Sequence, residues 1–400
     1  MGTTSKKEWT INRKILSIAT IFTILTTFLF ISACATPDID LPDETPQKEY
    51  TIDSLSGSDN GSYEFDEDRL SQIVDDIEKG QYGNIHSLII IHNDGLVMEE
   101  YCKSWNRHML HPCWSVTKSF ASALIGIAIE QDYISSVDEK LLSFFPEYKT
   151  IDNLDERKES ITLKHVLTMS SGFVWDDMST LFTDPESHSA KMVASSDWIK
   201  YVLDMPMSDD PGTEFLYNNG GSHLLSGILT KKTGQSAEKF AEEHLFNELG
   251  ITKWEWERDP NGLTVAAWGL ELHPVNMAMF GYLYLKNGLL SGEQVVPEAW
   301  VEESTAKHIF IEESFIWIMD GMFDYGYQWW RYNDSFFESM LWRGAPPKIN
   351  DIFNASGYGG QFIYVIPHLD MVMVFTGWEP EKPWLHGFLF NDLLNAVKKK

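Results

Sequence analysis

Two residues that could form a nucleophile and its base, Ser115 and Lys118, lie in the stretch SVTK. A serine hydroxyl attacks efficiently only when a base takes its proton. Residues three apart on a helix face the same side, so the lysine amine can reach the serine Oγ. The residues after Lys118, SFASALIGIAI, are apolar on all sides of a helix, which predicts that both this helix and Lys118 are buried. Burial favours the neutral amine, which is the form that acts as a base.

The same spacing occurs twice more in the chain, at Ser236 with Lys239 and at Ser304 with Lys307. A Ser-x-x-Lys pattern is therefore a weak signal by itself. Ser236 begins an amphipathic segment, SAEKFAEEHLF, in which a serine is a good helix N-cap. Ser304 lies in a polar stretch that offers no catalytic partner. The apolar helix that follows Lys118 distinguishes the first pair from the other two.

A tyrosine and an amide form a second candidate element, Tyr217 and Asn219 in the segment LYNNGG. A phenol beside a lysine amine can share its proton and serve as a general acid or base. An amide two residues further on can hold both the lysine and the substrate. The Pro-Gly pair before it and the Gly-Gly pair after it predict a tight loop, on which reactive groups are often displayed. The alternative for Tyr217 is a core aromatic whose hydroxyl bonds a backbone carbonyl.

The third candidate element is the glycine-rich stretch ASGYGGQFIYVIP, which contains Tyr358, Gly359, Gly360 and Gln361. Glycines before a strand let a substrate approach the backbone closely. The backbone N–H of Gln361 could then stabilise an oxyanion, with the N–H of Ser115 as the other donor. The alternative is a glycine-rich hairpin with no chemical role.

Strands at both ends of the chain predict the frame that positions these residues. HSLIIIHNDGLVMEEYC is typical of two strands joined at Asn93-Asp94-Gly95, and GQFIYVIPHLDMVMVFTGW is typical of a second strand–turn–strand unit. The pattern predicts a last helix over about 384–399 and a mostly helical region over about 135–330. The predicted fold class is α+β, an antiparallel sheet flanked by helices with an inserted mainly helical region. A cleft is expected between the two parts.

The order and spacing of SVTK, YNN and YGG resemble those of the serine β-lactamase/penicillin-binding protein superfamily. Within it, the chain is most similar to the class C-like branch that includes 6-aminohexanoate-dimer hydrolase and related esterases. The resemblance covers about residues 66–400, and further stretches support it: LKHVLTMSSGFVWDD, AAWGLELHPVNMAMFGYLYLKNG and YGYQWW. It implies a β-lactamase/DD-peptidase-like fold with the site between the sheet and the helical region.

The resemblance also implies a mechanism and roles for the residues. Ser115 would form an acyl-enzyme, and Lys118 and Tyr217 would activate it and move protons to the leaving group. Asn219 would position the substrate. The N–H groups of Ser115 and Gln361 would form the oxyanion hole. No cofactor and no metal are implied.

One position departs from the superfamily pattern. β-Lactamases and penicillin-binding proteins carry Lys-Thr-Gly or His-Thr-Gly where this chain has Tyr358-Gly359-Gly360, so the cation that meets a substrate carboxylate is missing there. The departure favours an esterase or amidase that acts on a small molecule. β-Lactamase or D-alanyl carboxypeptidase activity is the alternative, and a non-catalytic binding or sensing module of the same fold is a second alternative.

The N-terminus has the features of a bacterial secretory signal. Basic residues precede the apolar run ILSIATIFTILTTFLFI, and Ser-Ala-Cys follows it, as in a lipobox. We expect a signal peptide over residues 1–33, a lipidated Cys34 that begins a flexible acidic linker over residues 34–65, and the hydrolase domain over residues 66–400. The protein would then be an extracytoplasmic lipoprotein anchored to a membrane. An uncleaved transmembrane anchor is the alternative.

Charge and cysteine content narrow the partners. The formal net charge of -28 argues against nucleic acid, because phosphate backbones are bound by patches of Lys and Arg. Cys102 and Cys113 could form a disulfide outside the cytoplasm. With His108 and His111 they could instead be metal ligands, but their spacing is irregular, so packing or a disulfide is the simpler account. Oligomeric state is left open by the sequence.

Overall fold

The structure is a computed structural model, and it describes residues 51–58, 61–177, 184–312, 320–339 and 351–400. The predicted signal peptide and the predicted lipidation site, Cys34, lie outside the described residues. In the part that is described, no helix is both long enough and apolar enough to cross a bilayer.

An eight-stranded antiparallel sheet forms the frame, and its strands come from both ends of the chain. They are β2 (Ile85–His92), β3 (Gly95–Tyr101), β9 (Ile309–Ile311), β10 (Phe323–Tyr325), β11 (Trp330–Tyr332), β12 (Phe353–Gly357), β13 (Gln361–Ile366) and β14 (Met371–Gly377). The order across the sheet is β3-β2-β14-β13-β12-β11-β10-β9. The first hairpin thus pairs with the last long strand, with Ile89 opposite Val374. The antiparallel sheet predicted from the two ends of the chain is confirmed.

The turn of the first hairpin follows from its sequence. Asn93 and Asp94 connect the paired residues His92 and Gly95, and they have φ of 49° and 59°. Two-residue hairpin turns of this kind need positive φ at both positions, and Asn and Asp tolerate it better than most residues.

The remaining strands are short and lie outside this sheet. They are β1 (Tyr63–Phe65) paired with β15 (Val397–Lys399), β4 (His111–Pro112) and β5 (Glu255–Trp256) on either side of β6 (Leu270–Leu272), and β7 (Leu289–Leu290) paired with β8 (Glu293–Gln294). The strand β4 leads directly into the segment that carries Ser115. Its pairing with β6 therefore holds in place the backbone that precedes this serine.

Twelve α-helices are described, and the longer ones cover both faces of the sheet. They are α1 (Glu67–Glu78), α2 (Thr117–Glu130), α3 (Glu156–Ser160), α4 (Leu163–Leu167), α5 (His188–Ala194), α6 (Trp198–Leu203), α7 (Asn219–Thr233), α8 (Ala237–Ala241), α9 (Pro274–Leu285), α10 (Glu298–Ser304), α11 (Asp334–Ser339) and α12 (Trp384–Asn395). Along β2 the side chains alternate between two cores. Ile89 and Ile91 join the core that contains α2, α7 and α9, while Leu88 and Ile90 join the core that contains α1 and α12.

Helix α2 is buried along nearly its whole length, as its apolar sequence predicts. Every residue from Thr117 to Ala128 is buried, and Phe120 stacks on Phe280 of α9 with 3.8 Å between ring centroids. In turn α9 approaches the sheet at Gly281, where a Cβ would lie 2.7 Å from the side chains of Ile363 and Val372. The helix that begins beside Ser115 is therefore held by packing on all sides.

The helices α3 to α10 lie in the region over 135–330, as the expected mainly helical insertion requires, and its last part also supplies β9 and β10, which extend the main sheet. One expectation needs correction. The flexible linker expected up to residue 65 is wrong for its described part. Ile52 is buried in the core, Arg107 forms two hydrogen bonds with the Asp53 carboxylate, and Tyr63–Phe65 pairs with the last strand.

Candidate active site

Ser115 lies at the N-terminal end of α2, in the 3-10 turn Trp114–Val116 that precedes the helix. Trp114 has φ 49°, a left-handed conformation that is unfavourable for a bulky residue. Ser115 is partly exposed, whereas Val116 is fully buried. The turn therefore leaves the serine hydroxyl accessible at the start of a rigid, buried helix.

Lys118 lies directly below Ser115 and is 1% exposed. Its Nζ lies 2.9 Å from Ser115 Oγ, 2.7 Å from Asn219 Oδ1 and 2.6 Å from the carbonyl oxygen of Ala267. A neutral amine has two N–H groups and one lone pair. When Asn219 and Ala267 accept the two N–H groups, the lone pair of Lys118 is left for the hydroxyl hydrogen of Ser115. The arrangement therefore suits proton transfer from the serine to the lysine.

The charge state of Lys118 depends on its burial. Loss of hydration lowers its pKa to about 7, and the carboxylate of Asp177 opposes this by raising it. The three acceptors at Nζ are a hydroxyl, an amide and a peptide carbonyl, so no ion pair at the nitrogen holds the charge. Burial therefore makes Lys118 more readily neutral than an exposed lysine, and the neutral amine is the form that can act as a base.

Tyr217 lies against the same two residues. Its side chain is hydrogen-bonded to Ser115, and Lys118 Nζ lies 5.0 Å from the centroid of its ring. The ring also stacks on Trp330, with 5.9 Å between centroids. Burial raises the pKa of Tyr217 well above its ordinary value, so the phenol keeps its proton at neutral pH. Tyr217 is thus both a packed aromatic residue and a hydrogen-bonding partner of the serine.

Asn219 is brought to Lys118 by the start of α7. Asn218 caps this helix by accepting a hydrogen bond from Gly221 N at 2.7 Å, so Asn219 is its first residue. The Asn219 amide oxygen accepts from Lys118, while its backbone N–H donates to Asp177 at 2.9 Å. The structure therefore brings Ser115, Lys118, Tyr217 and Asn219 together, although they are up to about a hundred residues apart in the chain.

Sequence reasoning missed three residues that surround this group. Asp177 accepts hydrogen bonds from Trp175, Ser189 and the backbone of Asn219, and Ala267 contributes its carbonyl oxygen to Lys118. Any residue could supply that carbonyl, so no residue type signals it. Asp177 ends the stretch LKHVLTMSSGFVWDD, but neither its residue type nor that of Ser189 signals a role, and their partners follow only from the fold.

The glycine-rich element forms the hairpin between β12 and β13, next to the serine. A Cβ on Gly357 would lie 2.4 Å from the carbonyl oxygen of Cys113, two residues before Ser115, so β12 ends in close contact with that segment. Gly359 and Gly360 have φ of 80° and 109°, which side chains other than hydrogen rarely allow. Gly360 also lies against the His386 ring, where a Cβ would be 2.2 Å from Cε1.

Aromatic rings surround this hairpin at Tyr358. In the sequence, this position is the one that lacks the superfamily's cation. The ring of Tyr358 lies 5.6 Å from that of Trp114 and 5.6 Å from that of Trp378, and the two tryptophans are 5.8 Å apart. Trp378 is 42% exposed, so the cluster reaches the surface. We call Trp114, Tyr358 and Trp378 the aromatic cluster.

Gln361 lies at the base of the same hairpin and is fully buried. Its side-chain amide donates to the carbonyl oxygens of Tyr358 at 3.0 Å and Gly377 at 2.9 Å, and accepts from Gly377 N at 3.1 Å. The side chain of Gln361 thus fixes the turn, and the oxyanion role predicted for its backbone N–H stays a prediction.

The cysteine and histidine cluster has a structural explanation. Cys102 and Cys113 are both buried and form no disulfide. His111 lies 2.8 Å from the buried His86, nitrogen to nitrogen, and both rings pack on Trp105. Across the described ranges, no group of three or more Cys, His, Asp or Glu side chains is placed to hold a metal ion.

Comparisons with known proteins agree with the resemblance. Residues 78–383 match the sequence model of the Beta-lactamase family. A 6-aminohexanoate-dimer hydrolase from Paenarthrobacter ureafaciens is 23% identical over 354 residues, which is 83% of each chain. An uncharacterized protein from Alkalihalophilus pseudofirmus is 25% identical over 243 residues, 53% of this chain and 61% of that protein. The match therefore spans less than two thirds of that relative.

The fold is also that of solved structures. The structure of EstCE1, described as a hydrolase with promiscuous acyltransferase activity, superposes with a TM-score of 0.65 at 13% identity. The match covers 82% of this chain and 98% of that one. At this identity the likeness shows the fold alone, and it agrees with the predicted β-lactamase/DD-peptidase-like class.

Proposed function

Since the chain belongs to the Beta-lactamase family, we propose that it is a serine hydrolase that forms an acyl-enzyme at Ser115 with a small ester or linear amide. The observation that carries the proposal is the 2.9 Å contact between Lys118 Nζ and Ser115 Oγ, made by a lysine that is 1% exposed. Burial of a lysine costs folding free energy, and groups with strongly shifted pKa values cluster at functional sites, so the buried Lys118 beside Ser115 supports a catalytic role.

The first step is attack on the substrate carbonyl carbon. The Ser115 Oγ–H proton passes to the neutral Nζ of Lys118, and the oxygen forms a bond to the carbonyl carbon. The carbonyl oxygen becomes an oxyanion, for which the backbone N–H groups of Ser115 and Gln361 are the proposed donors. Lys118 is the base in this account and Tyr217 is not, because burial lowers the pKa of the lysine and raises that of the tyrosine.

The second step expels the leaving group. The C–O or C–N bond breaks, and the leaving atom needs a proton. We propose that Tyr217 donates it, since burial raises the pKa of its phenol, which favours the protonated form, and its side chain is hydrogen-bonded to Ser115. The charged Lys118 can then restore the proton of Tyr217. Water attacks the acyl-enzyme by the same route in reverse, which releases the acid and returns Ser115 to its hydroxyl form.

The aromatic cluster supports an uncharged substrate. Trp114 directly precedes the serine in the chain, and its ring contacts the rings of Tyr358 and Trp378. Trp378 is the member of the cluster that is exposed at the surface. Aromatic faces bind apolar groups well and give no strong partner to a carboxylate. We therefore propose that the group bound at this position is apolar, and that β-lactams and D-alanyl peptides, which carry a carboxylate, are poor substrates.

A panel of substrates tests the proposed function. Purified full-length protein is assayed with p-nitrophenyl butyrate, an N-acyl p-nitroanilide and a chromogenic cephalosporin. Turnover of the ester or the anilide, lost in Ser115→Ala and retained in Ser236→Ala, is the expected result. Faster turnover of the cephalosporin would overturn the proposed substrate class. Binding of these compounds without turnover would favour the non-catalytic module.

We also propose that the protein is a membrane-anchored lipoprotein outside the cytoplasm. The support is the sequence of residues 15–34, an apolar run followed by Ser-Ala-Cys. Growth of an expressing bacterium with an alkyne-tagged fatty acid should label the protein, and Cys34→Ala should remove the label and the processing at that site. An unlabelled full-length chain that stays at its unprocessed mass would contradict the proposal.

A further inference from the structure

The contacts of Asn219 extend beyond Lys118 to a second layer of polar groups. Its amide nitrogen Nδ2 donates to Ser189 Oγ at 3.2 Å. The Ser189 hydroxyl donates to Asp177 Oδ1 at 2.7 Å. Ser189 is 3% exposed, so water does not easily replace these partners. A continuous chain of hydrogen bonds therefore runs from Ser115 through Lys118, Asn219 and Ser189 to the carboxylate of Asp177.

The direction of this chain is set at its carboxylate end. An ionised carboxylate only accepts hydrogen bonds, so the hydroxyl hydrogen of Ser189 must point to Asp177. The lone pairs of Ser189 are then available to Asn219, which must turn its NH₂ group toward the serine. The amide oxygen of Asn219 is consequently directed at Lys118, where it accepts one of the two N–H groups of the neutral amine.

The opposite orientation would disable the base. With its NH₂ group toward Lys118, Asn219 would donate to the lysine and compete with Ser115 for the single lone pair of the neutral amine. It would also place a donor against the ammonium that forms after proton transfer. The two amide orientations of Asn219 therefore differ in whether Lys118 can take the proton of Ser115.

We propose that Asp177, acting through Ser189, is a positioning residue that fixes the orientation of the Asn219 amide and so keeps the lone pair of Lys118 on Ser115. This inference rests on the proposed function, since it concerns the base of that reaction. Two further donors hold the carboxylate in place: Trp175 Nε1 at 2.5 Å and Asn219 N at 2.9 Å, both on Oδ2. Neither Asp177 nor Ser189 contacts the reacting atoms.

The charge of Asp177 has a second consequence. It raises the pKa of Lys118 against the effect of burial, and Tyr217, which faces Lys118 from the loop just before α7, is uncharged at neutral pH because burial raises its pKa. Removal of the carboxylate should therefore extend the neutral form of Lys118 to lower pH. Loss of the Asp177 charge shifts the pH at which the labelling rate rises, whereas loss of the Asn219 orientation lowers the rate without shifting that pH. A general disruption of the site would not produce these two separate effects.

The test measures the rate of labelling of Ser115 by a fluorophosphonate across pH 5 to 9. In this reaction Ser115 Oγ bonds to phosphorus, its proton passes to the neutral Nζ of Lys118, and the P–F bond breaks to release fluoride, so no leaving-group proton is needed. Asp177→Asn is the first variant, because an amide at this position can donate to Ser189 and reverse the whole chain. Ser189→Ala breaks the chain and keeps the charge, and Ser189→Thr restores the hydroxyl. Asp184→Asn, an exposed carboxylate in the same part of the chain, is the charge control.

The expected results differ for each variant. Asp177→Asn lowers the plateau, the labelling rate at high pH, by about 10-fold or more, as for loss of a charge-assisted hydrogen bond. It also moves the acid limb, the pH range below the plateau in which the rate rises, to lower pH. Ser189→Ala lowers the plateau and leaves the limb in place, and Ser189→Thr recovers most of the rate. Asp184→Asn behaves as the original chain does.

The outcomes separate this inference from the proposed function. If Ser115 is not labelled in the original chain, the proposed function fails and the inference fails with it. If Ser115 is labelled, and Asp177→Asn and folded Ser189→Ala react at the original rate with the original pH profile, the inference alone is wrong. Equal losses in Ser189→Ala and Ser189→Thr would also overturn it, because the hydroxyl would then be unimportant. Circular dichroism melting of each variant shows which are folded.

Discussion

Two Ser-x-x-Lys pairs in this chain have the same spacing and opposite surroundings. Lys118 is buried, its three acceptors are uncharged, and burial lowers its pKa to about 7. The Lys239 side chain is 53% exposed and pairs with Glu243 and Glu242, which raise its pKa. Ser236 accepts a hydrogen bond from the backbone N–H of Lys239, as an N-cap does. The environment of the lysine, and not the motif, decides whether the pair can do chemistry.

The largest expected difference concerns the two serines. Ser115→Ala should abolish ester turnover and fluorophosphonate labelling, because no other atom takes the place of Oγ. Ser236→Ala should leave both unchanged and lower the free energy of unfolding by about 1 kcal/mol through loss of the cap. Intact-mass spectrometry measures the labelling, and chemical denaturation measures the stability. Persistent labelling of Ser115→Ala would show that the comparison assigns the chemistry to the wrong pair.

The two lysines should differ almost as much. Lys118→Met removes the base at similar side-chain length and is expected to lower kcat/KM by about 10³-fold, within the range for a positioned general base. Lys239→Met removes only the solvent-exposed ion pairs with Glu242 and Glu243, so the activity of the variant should match that of the original chain. Steady-state ester kinetics decide between these results. An active Lys118→Met enzyme would assign the base to another group.

Tyr217→Phe should have an intermediate effect. The ring still stacks on Trp330, so packing is retained, but the hydroxyl that bonds Ser115 is lost. We expect kcat to fall by about 10²-fold for an amide, whose leaving group needs a proton, and by less for a p-nitrophenyl ester. A parallel assay of the two substrates measures the difference. Equal losses on both would contradict the role of Tyr217 as the proton donor to the leaving group.

The smallest effect is expected at the edge of the aromatic cluster. Trp378 is 42% exposed, so Trp378→Ala should mainly raise KM for esters with long apolar chains, by roughly 3- to 10-fold, and change kcat little. A series of p-nitrophenyl esters from acetate to octanoate measures this. The same change in KM for acetate and octanoate would argue against an apolar subsite at Trp378.

Part of this site could be predicted from the sequence because its chemistry depends on residue type. Few residue types carry a hydroxyl, an amine, a phenol or an amide, so the sequence could indicate Ser115, Lys118, Tyr217 and Asn219 as candidates. The apolar helix after Lys118 predicts that this lysine is buried. Ala267 could not be predicted, since it acts through a backbone carbonyl. Asp177 and Ser189 could not be predicted either, because their roles depend on which way a neighbour's amide points.

The same limit applies to the fold. The two long hairpins have clear apolar runs with turn residues between them, so the sheet built from both ends of the chain could be predicted. The strands β9, β10 and β11 have three residues each, too few for a period of two to be recognised. The acidic, serine-rich stretch before residue 65 is typical of a linker. The packing of its described residues, 51–58 and 61–65, depends on single contacts, such as Asp53 with Arg107, that no local pattern contains.

The pH dependence of acylation tests the central claim, that Ser115 is activated by a neutral Lys118, most directly. The full-length protein is treated with a fluorophosphonate at pH 5 to 9, and the modified peptide is identified by mass spectrometry. Burial lowers the pKa of Lys118 to about 7, and the active form is the deprotonated one. The rate of labelling at Ser115 should therefore rise about tenfold per pH unit below 7 and level off above it. Labelling at another residue, or a rate at Ser115 that does not change between pH 5 and 8, would contradict the account.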